Sequence, residues 1–339
     1  MDISKRKSEH IKIALGKPVG FQKKTTGFEN YDFIHCALPE MDYDEVDTKI
    51  EFLGKILSFP LMVSAVTGGF EGALSINQKL AQACKATGIA LGVGSQRQIF
   101  ENNDYLESFR IVRKTTPESV ILANIGACQI RKIKDLTPFQ KLVDLIEADG
   151  LVVHLNPLQE LLQPEGDNCF KGVLEGIQKL VQGLNVPVIV KEIGCGISKE
   201  VAEKLVKAGV FCIDIAGAGG TSWAGIESYR IHPNEKALKF WEWGIPTASS
   251  LEMVRDIKGV KIIASGGICD GITVAKALAL GAELCGSALP LLKVLAEKKT
   301  AGLVSEIESW HEELKTILFL TGSRTINDLR RNHTIEKKS

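Results

Sequence analysis

Eight short apolar runs separated by amphipathic stretches, over roughly 240 residues, predict an α/β protein built as a (β/α)8 TIM barrel. Three observations carry that expectation. The strand–helix alternation never breaks, and the runs have the length of buried parallel strands. Gly, Ser, Thr and charged residues also gather just past the carboxyl end of each run, where a barrel places its working loops. A doubly wound open sheet would need fewer strands or an interruption of the alternation, and the sequence has neither.

Residues 1–58 precede the alternation and read as an N-terminal extension, interrupted by Gly16, Pro18, Gly20, Gly27 and Pro39. The strand-like runs are Phe59–Ser64, Ile89–Val93, Val120–Asn124, Leu151–Leu155, Pro187–Lys191, Phe211–Ile215, Lys261–Ala264 and Ala282–Cys285. Helical periodicity lies between them in Leu74–Ala86, Tyr105–Lys114, Pro138–Ala148, Phe170–Gln182 and Ser198–Ala208. Trp223–Trp241 and Thr247–Ile257 fill a longer connection, and Gly271–Leu280 and Pro290–Lys298 complete the set. Thr87-Gly88, Ala208-Gly209 and Leu280-Gly281 have the small-residue stop of a helix C-terminus. The barrel spans 59–305, and 306–339 is a helix followed by a charged, frayed tail.

Composition narrows the class. The 339 residues are 45% apolar, enough for a sizeable core, and 41 Lys+Arg balance 41 Asp+Glu. Zero net charge without a basic block gives no reason to expect nucleic acid. The eight cysteines show no CxxC spacing, so no zinc or iron–sulfur site is expected. The N-terminus lacks a signal-peptide h-region and no apolar run approaches membrane-spanning length. The expectation is a soluble, cytoplasmic protein with no membrane partner.

The fourth run leads into His154-Leu155-Asn156-Pro157-Leu158-Gln159-Glu160 and Gln163-Pro164-Glu165-Gly166-Asp167, read as a polar loop begun by the proline. His154 and Asn156 share one strand face by their i, i+2 spacing. An isolated strand histidine is more often a satisfied core residue, but Asn156 and the carboxylates beyond favour a substrate role. Glu160 is a candidate ligand for a hard cation such as Mg2+, which takes few protein carboxylates and keeps waters and phosphate oxygens; a merely solvated glutamate is the equal alternative. Ser265-Gly266-Gly267-Ile268 after the seventh run and Gly286-Ser287-Ala288 after the eighth occupy the places where barrels bind phosphate, each leading into a helix N-terminus. Gly217–Thr221 after the sixth is a third candidate. Lys191 ends a buried run, so it faces an anion or an electron-rich ring, unless it snorkels to solvent. Arg6-Lys7-Ser8-Glu9-His10 is either a disordered charged tail or a clamp for a diphosphate.

Taken together, these motifs resemble the type 2 isopentenyl-diphosphate delta-isomerases, flavin-dependent (β/α)8 enzymes, over about residues 5–300. The resemblance rests on Arg6-Lys7-x-x-His10, Thr67-Gly68-Gly69, Gly94-Ser95-Gln96-Arg97, Ala123-Asn124-Ile125-Gly126-Ala127, His154 to Glu160 and Gln163 to Asp167. It continues through Lys191-Glu192, Ala216–Trp223, Trp243-Gly244-Ile245-Pro246-Thr247 and Ser265–Ile268. Val66 departs from it, standing where the family often has Met.

The resemblance implies FMN over the barrel mouth, touched by Ala65, Val66, Thr67, Ser95, Asn124, Lys191, Thr221, Gly266, Gly267, Ser287 and Ala288. It implies a substrate diphosphate held by Arg6, Lys7, His10, Ser95, Arg97, His154 and Asn156, with Gln159 beside the alkenyl end and Glu160 holding Mg2+. Catalytic roles fall to Gln159, Lys191 and His154, with Lys191 stabilising the reduced flavin and NADPH serving only as reductant. It also implies a homo-oligomer of four or more subunits. Two rivals remain: an FMN-dependent α-hydroxyacid oxidase, which needs a His–Arg pair for a carboxylate substrate, and a flavin-binding protein without catalysis.

Overall fold

The structure, a computed structural model, describes residues 3–230 and 234–338. Its centre is a closed barrel of eight parallel strands joined in sequence order. These are β1 (Leu61–Val63), β2 (Ala90–Gly92), β3 (Ile121–Gly126), β4 (Gly150–His154), β5 (Val188–Lys191), β6 (Cys212–Asp214), β7 (Lys261–Ser265) and β8 (Leu284–Ser287). The expected strands all form; β1, β2 and β6 are trimmed at both ends and β5 at its start, β3 and β7 run further than expected, and β4 and β8 are shifted along the chain. The ring closes where β8 pairs with β1, Cys285 opposite Leu61.

Helices Ala73–Thr87, Glu107–Thr115, Thr137–Asp144, Val173–Gly183, Lys199–Lys207, Thr247–Val254 and Gly271–Ala279 pack outside the first seven strands. Leu289–Leu320 follows the eighth, continuous except for a non-helical Lys299. The expected helix Trp223–Trp241 is two pieces, Trp223–Arg230 and Glu235–Lys239; residues 231–233 lie outside the described residues.

Alternation along the strands sorts the barrel interior into layers. One inward layer is Met62, Ala90, Leu122, Val152, Ile189, Cys212, Ile263 and Leu284, apolar throughout but for a thiol. Two residues further along each strand stand Ser64, Gly92, Asn124, His154, Lys191, Asp214, Ser265 and Gly286. The barrel thus changes from hydrocarbon to polar groups within one pleat of its C-terminal mouth.

The opposite end is closed by an antiparallel hairpin, Ile50–Phe52 with Lys55–Leu57, which inserts Phe52 and Leu57 against the apolar layer. Sequence reading left this hairpin undivided within 1–58. It also missed the helix Ile3–Gly16, which buries Ile3, Ser4, His10 and Ala14 and turns Ile3, His10 and Ala14 to the cavity at the barrel mouth.

Two further expectations are corrected. Pro157 starts a helix, Pro157–Leu162, because its missing N–H falls where a helix has no acceptor to offer. The C-terminal tail is ordered: Thr325 caps Ile326–Arg331 with a capping box, and Ile335–Lys337 pairs antiparallel with Tyr31–Phe33. Charge alone suggested fraying; a partner strand 300 residues away in sequence (Phe33 opposite Ile335, Tyr31 opposite Lys337) overrides it.

Candidate active site

A cavity of about 610 Å³ opens at the C-terminal mouth, large enough for a cofactor-sized ligand. Arg6, Lys7 and His10 reach it from the N-terminal helix; Ala65, Val66, Ser95, Arg97 and Asn124 from the first three strand ends. His154, Asn156, Gln159, Glu160, Lys191, Thr221, Gly266, Gly267, Ser287 and Ala288 complete the expected set. Thr67 alone stands apart: it is 2% exposed and its hydroxyl donates to Asn77 Oδ1, away from the cavity.

The charged rim is built from long side chains on short elements. Lys7 Nζ donates to Gly68 O at 2.8 Å and to Ser95 O at 2.5 Å, tying the N-terminal helix to the β1 and β2 loops. Burial, then the neighbouring Arg6 and Arg97, lower its pKa to about 7; the stem is partly exposed while the ammonium is enclosed. The guanidiniums of Arg6 and Arg97 have no hydrogen-bond or ion-pair partner among the described residues. His10 is held differently, its Nε2 donating to Glu227 Oε1 at 2.8 Å and its ring edge-on to Trp223. Arg230 makes a bidentate pair with Glu165 (2.7 and 3.0 Å), and that hydrogen bond lowers the Glu165 pKa to about 2.

His154 Nδ1 donates to Asn124 Oδ1 at 2.8 Å, which leaves Nε2 as the ring's free atom. Asn124 is itself fixed, its Nδ2 donating to Val93 O and its amide N–H to Gln96 Oε1. Burial, then Lys191, Lys7 and Arg97, push the His154 pKa down to about 3, so the ring is neutral at ordinary pH. Asn156 Nδ2 donates to both Gln159 Oε1 and Glu160 Oε1 at 3.0 Å. Glu160 Oε2 accepts from Gln163 Nε2 at 2.6 Å and from the Asp167 amide at 2.7 Å. A β-carbon at Gly166 would stand 1.8 Å from Glu160 O, so the loop folds over the helix only with glycine there.

The glycine loops after β6 and β7 lean on one another. A β-carbon on Gly266 would meet Gly217 O at 2.1 Å, and one on Gly220 would meet Gly267 N at 2.4 Å. Their glycines therefore serve packing as well as ligand approach. Gly267, Ile268 and Ala288 carry backbone N–H groups without an acceptor among the described residues, and all three line the cavity. Ser64 Oγ is likewise buried there without a partner. Lys191 does not snorkel: it is 7% exposed, with Nζ donating to Glu192 O at 2.5 Å.

The sequence reading gave Ser64 and Asp214 no role, although the i+2 offset from apolar strand positions places both in the polar layer, and it read Ser265 only as part of a phosphate loop, whereas its hydroxyl donates to Asp214 Oδ1. It also missed Glu192, whose Oε2 accepts from the amides of Ile193, Gly194 and Cys195 and shapes the β5 loop. All eight cysteines are free, and no cluster of three or more His, Cys, Asp or Glu able to hold a metal occurs among the described residues. No helix among them is long and apolar enough to cross a membrane.

A closed parallel barrel whose loops after β7 and β8 turn free backbone amides into one cavity defines the class, a TIM barrel. Solved structures with this fold include a flavocytochrome b2 variant (TM-score 0.69, 18% identity, 97% of this chain and 82% of that one). A mandelate oxidase variant with a monooxide FMN adduct is similar too (TM-score 0.65, 18% identity, 96% and 95%). The FMN-dependent dehydrogenase family model matches residues 2–102 and 167–336. Proteins named isopentenyl-diphosphate delta-isomerase match nearly end to end. That of Pelodictyon phaeoclathratiforme is 46% identical over 98% of this chain and 97% of its own length. That of Rickettsia akari is 48% identical (97% and 96%), and that of Pyrococcus abyssi 46% (96% and 90%). The chain belongs to the FMN-dependent dehydrogenase family and, within it, to the isopentenyl-diphosphate delta-isomerases.

Proposed function

We propose that this protein interconverts isopentenyl diphosphate and dimethylallyl diphosphate, placing a proton on C4 and removing one from C2. The observation that carries the reading is the pair of unpartnered guanidiniums, Arg6 and Arg97, facing the same cavity as Lys7. Two guanidiniums beside a buried ammonium, with Glu160 and Glu165 acting on Arg6 only at longer range, suit a multiply charged ligand, and guanidinium matches phosphate oxygens in geometry. Ser95, His154, Asn156 and His10 complete the diphosphate site. Asn156 fixes the Gln159 amide through Oε1, which frees Nε2 for the alkenyl end.

The residues present fit FMN. The free amides of Gly267, Ile268 and Ala288 suit its phosphate, and Lys191, Asn124 and the orphaned Ser64 Oγ offer polar contacts deeper in the mouth. Ala65, Val66, Ser95, Thr221, Gly266, Gly267, Ser287 and Ala288 would hold the cofactor, and Thr67, whose carbonyl accepts from the Gly94 amide, would support the loop behind them. Bound and reduced at the expense of NADPH, FMN supplies acid–base chemistry strong enough for an unactivated alkene. Glu160 fits Mg2+: one fixed carboxylate, with waters and phosphate oxygens supplying the other ligands.

The chain's own groups orient the substrate, exclude water and neutralise the diphosphate. His154, fixed by Asn124, donates to a phosphate oxygen only after Nε2 takes up a proton, so substrate brings its own proton demand. The reading extends to a cytoplasmic homo-oligomer of four or more subunits, which light scattering checks. The test of function is anaerobic incubation with isopentenyl diphosphate, FMN, NADPH and Mg2+. Dimethylallyl diphosphate that forms only with reduced flavin and metal supports the reading. Bound flavin with no product, but oxygen uptake on α-hydroxyacids, would replace it with the oxidase.

A further inference from the structure

The polar layer at the barrel mouth contains one carboxylate that the proposed reaction does not use. Asp214 ends β6, is 1% exposed, and stands in register with Lys191 of β5 and Ile263 of β7. Its two oxygens are unequally served. Oδ1 accepts from Ser265 Oγ at 2.6 Å and from the Ala216 amide at 3.2 Å. Oδ2 is buried with no hydrogen-bond donor among the described residues, and the Lys191 ammonium lies 3.7 Å from it. That separation is within ion-pair range and beyond a hydrogen bond. One Lys191 N–H is committed to Glu192 O, so the ammonium is steered by a carbonyl on one side and by a charge on another, at the cavity wall.

A lysine buried without a counter-charge gives up its proton readily, and a buried carboxylate without one takes a proton up. The Lys191 ammonium opposes, without cancelling, the burial that raises the Asp214 pKa, and the carboxylate is in turn a counter-charge for the lysine. We infer that Asp214 is the positioning residue for Lys191, keeping its ammonium charged and aimed at the ring over the barrel mouth. The inference rests on the proposal that FMN binds in this cavity. Asp214 does not line the cavity, so it acts only through the lysine. The other ionisable groups near the lysine are His154, in register on β4, and Glu192, its chain neighbour; Lys7 acts on the same histidine from the N-terminal helix.

The test is potentiometric titration of the FMN-loaded protein. A buried cation at the cavity wall would stabilise the anionic reduced form of a flavin bound there, so Lys191→Met is expected to lower the flavin potential. Asp214→Asn is expected to lower it in the same direction, by roughly tenfold or more in the ratio of reduced to oxidised flavin at fixed solution potential. In Asp214→Asn the potential recovers as pH is lowered and Lys191 regains its proton. In the Lys191→Met background the Asp214→Asn change is silent, because an unpaired buried Asp214 is already protonated there. Asp214→Ser, smaller and uncharged, carries the same expectation if the amide is not accepted. An unchanged potential, a raised potential, or an equal shift in the Lys191→Met background would overturn the inference. Wild-type protein that binds no FMN would overturn the cofactor reading beneath it; wild-type that binds FMN while Asp214→Asn changes nothing removes the inference alone.

Discussion

At the scale of single residues, the site is a balance between crowded cations and the few carboxylates that answer them. Arg6 and Arg97 have no hydrogen-bond or ion-pair partner among the described residues, so Arg97→Ala removes a charged contact from the ligand while leaving none of those residues stranded. Hydrogen bonds to charged groups contribute about 1.5–3 kcal/mol, so KM for isopentenyl diphosphate should rise roughly tenfold to a hundredfold. Steady-state kinetics check this, and the fold, followed by circular dichroism, should not change. Lys7 and His154 add a pH signature. Lys7 sits at about 7 against its ordinary 10.5, so between those values the unfolded chain binds the proton and the folded one does not. Stability therefore rises with pH across that window, and for His154 it rises from about pH 3 to 6.5. A bound diphosphate reverses the preference at Lys7, so binding above pH 7 takes up a proton and weakens as pH climbs. Calorimetry in buffers of different ionisation enthalpy reads that uptake, and Lys7→Met should remove the share due to Lys7 while leaving the proton that His154 takes up.

The residues that the sequence made legible are those whose type conflicts with their position. Lys191 and His154 stand at the ends of apolar runs, where burial demands a reason for a polar group. Asp214 ends such a run too, between Ile213 and Ile215, and Ser64 and Ser265 do the same with smaller side chains. Their meaning depends on which neighbour lies across the barrel, and one chain read alone does not display that. Thr67 shows the opposite limit. Its motif was legible, but its hydroxyl is taken by Asn77, a helix residue ten positions on whose place against the loop the motif does not display.

At the scale of elements, the barrel was legible because every strand carries its own length and its own stop. The elements that were missed gain their stability elsewhere. The helix Ile3–Gly16 has a weak apolar face and is held by His10 to Glu227 and by Lys7 to two carbonyls. The hairpin at the closed end is three residues on each side and stands only because Phe52 fills the barrel floor. Phe52→Ala should cost about 3–5 kcal/mol of stability, read by denaturant unfolding, with KM unchanged because the site is at the other end. The strand Ile335–Lys337 pairs with Tyr31–Phe33 and brings Lys337 to Glu252 at 3.2 Å. Truncation before Thr334 should lower the melting temperature by several degrees and leave FMN affinity as it was. A loss of FMN binding would mean that the tail supports the mouth as well as the flank.

At the scale of the whole molecule, one closed sheet separates two tasks. Its lower half is a hydrocarbon core sealed by the hairpin, and its upper edge is a polar ring under a glycine-rich rim and a cationic helix. The eight strands deliver the ring as one rigid surface, so a lysine, a histidine and an asparagine from different strands keep fixed distances. This division suits a reaction in which flavin is needed in its reduced state but ends unchanged. Reductant and product should therefore be unlinked in amount. The most direct measurement is an anaerobic reaction with limiting NADPH, counting dimethylallyl diphosphate formed per NADPH oxidised. The account predicts many product molecules for each NADPH consumed, continuing after the nicotinamide is spent. One product for each NADPH, or product that stops when the reductant does, would contradict it.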